Sequence, residues 1–123
     1  VSSTTLWRME AIDLPHIESL GGLSSPELVE ILQDFVDGLD QQAAALGSLI
    51  NEGNRQGLRE AAHRLKGAAQ MAGFPAVARI AEELETSARD GDTLPEQPAM
   101  QSRLSHIAQE AISSWNHALQ SKA

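Results

Sequence analysis

The sequence predicts an all-α protein: an up-down antiparallel four-helix bundle with one short additional helix near the N-terminus. Three observations lead there. Alanine and leucine dominate the 123 residues, only 3% are aromatic and tyrosine is missing, which favours helix over strand. Apolar residues recur at three- and four-residue spacing through long stretches, the pattern of a buried helix face. Gly53-Asn54, Gly73 with Pro75, and "RDGDTLPEQP" punctuate those stretches, and short connections between helices make antiparallel neighbours. At this length the chain, 1–123, is expected to form one domain.

Residues 1–12, "VSSTTLWRMEAI", read as an arm or short helix offering Leu6, Trp7 and Met9. In "DLPHIESLGG" Asp13 suits an N-cap, Pro15 a first turn, and Gly21-Gly22 a stop. "SSPELVEIL" opens the first long helix, with Pro26 in its first turn and Glu27 near the positive helix end. Ser24 pairs with Glu27 as a capping box, and Ser25 is an equal candidate for the cap. Leu28, Ile31, Leu32, Phe35, Leu39, Ala43, Leu46 and Ile50 then hold helical spacing for about seven turns, giving one helix over about 26–52. A second helix is predicted over 55–72, ended by Gly73. A third, over about 75–89, buries Val77, Ile80, Ala81, Leu84 and Ala88. The fourth, over about 96–120, aligns Met100, Leu104, Ile107, Ala111, Trp115 and Ala118.

A net charge of −8 disfavours nucleic acid and anionic lipid as partners. With no cysteine there is neither disulfide nor thiolate metal site. No apolar run approaches the roughly 20 residues that span a bilayer, so no membrane contact is expected. The distribution of charge says more than its sum. Residues 1–53 carry nine acids and one base, Arg8; then Arg55, Arg59, Arg64 and Lys66 arrive together, opposed only by Glu60. An acidic chain has gathered cations around His63.

On a wheel of about 100° per residue, Leu58, Ala62, Leu65, Ala69 and Ala72 make a narrow apolar stripe. His63, Lys66, Gln70 and Arg59 cluster roughly 110° away, with Gly67 beside them. His63 therefore lies at the flank of the buried face. A neutral imidazole there is a competent nucleophile near pH 7. Lys66, and Arg59 from one turn earlier, can offset an anionic group attached to it. Gly67 costs about 0.5–1 kcal/mol of helix stability relative to alanine, and it clears space for a second protein.

The stretch "AAHRLKGAAQMAG" resembles the H-x-L-K-G-x-x-x-x-x-G signature of histidine-containing phosphotransfer domains. The resemblance runs from about Ile12 to Leu119. It implies that His63 is the phosphoacceptor, that Lys66 neutralises the phosphate and that Gly67 gives a receiver domain room to dock. It gives Leu65 a core position and Gly73 the end of the helix. A polar side chain often orients the imidazole in this family, and Gln70, two turns on, is the candidate here. The small polar residue that usually follows the glycine is Ala68 in this chain.

The implied function is a phosphorelay intermediate in two-component signalling. It exchanges a phosphoryl group with receiver aspartates, while the receiver supplies the magnesium ion. No cofactor is expected in this chain, no glycine-rich phosphate loop is present, and ATP-dependent kinase activity is not expected. Expected partners are response-regulator receivers, and the domain is expected to be a cytoplasmic monomer. The chain starts at Val1, which favours the C-terminal domain of a membrane-bound hybrid sensor kinase over a free-standing protein. Two rival readings stand beside it: a receiver-binding bundle without phosphotransfer, and a metal site built on Glu60 and His63, whose spacing matches half of a di-iron motif. His16, His106 and His117 read as capping or surface residues.

Overall fold

The computed structural model describes residues 11–91 and 94–122, and every element among them is a helix. They are α1 (Leu14–Ser19), α2 (Pro26–Asp37), α3 (Leu39–Glu52), α4 (Arg55–Ala72), α5 (Pro75–Asp90) and α6 (Gln97–Lys122). The expected arm at 1–12 lies largely outside the described residues; its last two, Ala11 and Ile12, are buried. No helix is long and apolar enough to cross a membrane among the described residues.

The local chemistry accounts for the boundaries. The Asp13 side chain accepts a hydrogen bond from the His16 amide at the start of α1. Ser25, rather than Ser24, caps α2, its hydroxyl accepting from the Leu28 amide. Asn54 caps α4 through the Gly57 amide at 2.9 Å. Gly53 and Gly73 end α3 and α4 in the left-handed conformation, at φ 68° and 89°. In both turns the next residue's amide reaches back to a last-turn carbonyl, Asn54 to Leu49 and Phe74 to Ala69. This is the Schellman arrangement that a glycine permits.

The single helix expected over 26–52 is two helices. Gly38 sits at φ −88° and ψ −7° between α2 and α3, well away from the ordinary helical ψ near −42°. The ladder stays nearly continuous across it, with Gly38 N–H reaching Asp34 and Phe35 carbonyls and Gln42 N–H reaching Gly38. A glycine has little intrinsic preference to hold helical angles, so the run bends there although the apolar spacing does not change.

The apolar stripes converge on one core. Trp115, Phe74, Ile17, Leu32, Leu46, Leu58 and Leu84 are its largest fully buried side chains. α3 packs on α4, α4 on α5, α5 on α6, and α6 back on α3, with α2 lying against α3, α4 and α6. The buried Trp115 indole N–H donates to Gln33 Oε1 at 2.8 Å, fixing α6 to α2. Phe35 of α2 and Phe74 of the α4–α5 turn bring their ring centroids to 5.3 Å, within the range of favourable aromatic pairs. α1 is fastened to the same turn: Asp13 N–H donates to the Gly73 carbonyl at 2.8 Å, and His16 Nε2 to the Met71 carbonyl at 2.8 Å.

Candidate functional site

α4 presents its charged face beside α5. Leu58, Ala62, Leu65, Ala69 and Ala72 are all buried, and that seating fixes the rotation of the helix. His63 consequently stands outward, its side chain 67% exposed, while Lys66 one turn on is 23% exposed. Gly67 is open: a Cβ added there would meet nothing within 4 Å. Arg59 and Gln70 are exposed on the same face.

The decisive contact comes from the neighbouring helix. Glu85 of α5, its side chain only 11% exposed, places Oε2 2.7 Å from His63 Nδ1 and Oε1 2.6 Å from Lys66 Nζ. One carboxylate thus holds both the imidazole and the ammonium. The Lys66 ammonium, foremost, and then His63 keep the Glu85 carboxyl below the usual carboxylate range, against the opposing effect of its burial. Glu85 is therefore ionised at neutral pH, and an ionised carboxylate only accepts hydrogen bonds. Nδ1 must carry the proton, which leaves the lone pair on Nε2. Nε2 has no hydrogen-bond partner among the described residues.

Gln70, the expected orienting residue, makes no hydrogen bond to the ring among the described residues; the partner found on Nδ1 is Glu85. The sequence carried a signal for it. Glu85 falls four residues after Ala81 and three before Ala88, both buried, so an acid interrupts the apolar stripe of α5. An acid on a buried face needs a partner, and His63 and Lys66 are that partner.

One turn beyond Glu85, the Arg89 guanidinium grips Asp90 with Nε–Oδ1 and Nη2–Oδ2 distances of 3.0 Å each. Arg89 lowers the Asp90 carboxyl foremost, and the charge of Arg59 adds to this. Asp90 raises Arg89, and the charge of Glu85 contributes. Arg89 and Asp90 therefore form a neutralised pair one turn beyond Glu85, with the charge of Arg59 acting on Asp90.

Glu60, the partner His63 would need in a metal site, instead accepts a hydrogen bond from Gln56 at 2.8 Å. Among the described residues no group of three His, Cys, Asp or Glu side chains is placed to hold a metal ion. His16 joins α1 to α4 through the Met71 carbonyl, and His106 lies 3.8 Å from Glu110.

The described helices thus present one imidazole nitrogen outward and fix the other against Glu85. The Hpt domain family model matches residues 30–120, and the chain belongs to that family. Hpt domains take part in histidine phosphotransfer in two-component signalling, as phosphocarrier modules rather than kinases. Neither a search of curated proteins nor one of solved structures returned a match.

Proposed function

We propose that His63 is the phosphoacceptor of this domain and that it exchanges a phosphoryl group reversibly with an aspartate of a response-regulator receiver domain. The observation that carries this reading is the exposed imidazole whose Nδ1 is held 2.7 Å from Glu85. Nε2 attacks the phosphorus of the receiver's aspartyl phosphate. The N–P bond forms as the P–O bond to the aspartate breaks, and the carboxylate leaves with its electron pair. Lys66, one turn from His63, offsets the charge that arrives on the ring, and Arg59 adds to the potential from one turn earlier. Gly67 lets the receiver backbone and phosphate approach. Gln70, exposed on the same face, serves as a polar contact to the phosphate or the receiver.

Positioning and charge stabilisation supply most of the catalysis in such transfers. The receiver supplies the magnesium ion, and this chain needs no cofactor and no ATP. The cyclic packing of α3, α4, α5 and α6 supports an up-down antiparallel four-helix bundle, acting as a monomer. The cytoplasmic part of a hybrid sensor kinase is the setting in which such a domain would serve.

The test is incubation with a phosphorylated receiver, followed by assay for acid-labile, base-stable label on this chain. Label is expected on the wild type and lost in His63→Gln. Equal labelling of His63→Gln would overturn the assignment.

A further inference from the structure

We propose that Arg55 is a positioning residue for transfer at His63: it pins the end of α5 to the start of α4 and so keeps the Glu85 carboxylate at the imidazole. This rests on the reading of His63 as the phosphoacceptor and adds to it a residue two turns before the ring.

The sequence places Arg55 where its own helix disfavours it. It is the first residue of α4, and the first turn of that helix holds no acid. A helix N-terminus carries partial positive charge, so a cation there opposes the dipole, whereas a cation at a C-terminus complements it. The half-buried Arg55 side chain resolves the mismatch by serving the neighbouring helix. Its Nη1 donates to the Ser87 carbonyl at 3.2 Å and to the Ala88 carbonyl at 3.3 Å. Both carbonyls belong to the last turn of α5, where the helix itself supplies no amide to meet them.

α4 and α5 make a hairpin with one closed end and one open end. The closed end is the Gly73–Phe74 turn, where Phe74 N–H returns to the Ala69 carbonyl at 2.9 Å. Arg55 bridges the open end. Glu85 lies toward that end, just before the two carbonyls that Arg55 holds. Alanines fill much of the buried faces between: Ala62, Ala69 and Ala72 on α4, Ala78, Ala81 and Ala88 on α5. Such short side chains make shallow ridges, which hold two helices in alignment less firmly than long ones. The Glu85 bonds at 2.7 Å to His63 and 2.6 Å to Lys66 leave little latitude, since a hydrogen bond is gone by about 3.6 Å. A splay of roughly 1 Å at the open end therefore suffices to part the carboxylate from the ring.

The experiment loads the intact chain with phosphoramidate, a small donor that needs no receiver, and follows phosphohistidine formation by 31P NMR. Arg55→Met keeps the aliphatic stem and removes the donors. It is compared with the wild type, with Glu85→Gln and with the double variant. Loading is expected to slow by about tenfold in Arg55→Met, within the roughly hundredfold that a 1 Å misplacement can cost. In the Glu85→Gln background the same substitution should add less than about twofold, because the two residues act as one unit. A residue that supports only the fold slows both backgrounds alike; that result overturns the proposal, as does an unchanged rate in a folded Arg55→Met. If circular dichroism shows that Arg55→Met does not fold, the shorter, polar Arg55→Gln takes its place in the same cycle. Failure of the wild-type chain to load at His63, read against His63→Gln, instead brings down the phosphoacceptor reading, and this proposal with it.

Discussion

At the scale of single residues, Lys66 lowers the Glu85 carboxyl, and in the proposed transfer it also offsets the phosphoryl charge, so one substitution touches both. Lys66→Ala is expected to raise the Glu85 carboxyl toward its ordinary value, read by carboxyl NMR. Transfer from a receiver should slow by roughly ten- to a hundredfold, the worth of one charge-assisted hydrogen bond. At Gly67 two substitutions separate the stability of the fold from transfer. Because a Cβ there meets nothing within 4 Å, Gly67→Ala should stabilise the fold by about 0.5–1 kcal/mol in urea denaturation. Gly67→Arg should leave the circular dichroism unchanged and slow transfer. The sequence made His63, Lys66 and Gly67 legible because they share one helix, and spacing along a helix is fixed by 3.6 residues per turn. It left Glu85 unread because Glu85 lies 22 positions from His63. Helical periodicity relates residues within α5 but says nothing of which turn of α4 they meet.

At the scale of elements, the chain folds where its glycines permit left-handed backbone. Gly73 at φ 89° ends the helix that carries His63, and a Cβ there would meet His16 Cδ2 and Ile17 Cγ1 at 3.2 Å each. Gly73→Ala combines backbone strain with crowding of α1 and should destabilise the protein by about 1–3 kcal/mol in urea denaturation. Asn54→Ala removes the cap of the same helix at its other end and should cost about 1 kcal/mol. Both stops, at Gly53 and Gly73, were legible because they coincide with breaks in the apolar spacing. Gly38 was not, since Leu39 and Ala43 carry the same stripe onward on its far side and both are buried. Periodicity reports burial, and burial continues through a bend.

At the scale of the whole molecule, acidity should weaken the fold in part through Glu85. Its carboxyl is held below the unfolded-state value of about 4.3 by Lys66 and His63. The folded state therefore binds protons less readily than the unfolded chain. The stabilisation is complete above the unfolded value and is lost as pH falls through the folded one. Urea midpoints for wild type and Glu85→Gln should accordingly stay a constant distance apart above about pH 5 and converge below about pH 4. A gap independent of pH would mean that Glu85 contributes by packing alone. Among the described residues, every bonding atom on the imidazole and on its carboxylate clamp comes from the packed pair α4 and α5. The proposed phosphoacceptor and its hydrogen-bonded partners are thus encoded in one contiguous passage of the chain, 55–90. On the proposed reading, the outward faces of α2, α3 and α6 are open to redesign without touching any atom bonded to the His63 ring or its carboxylate.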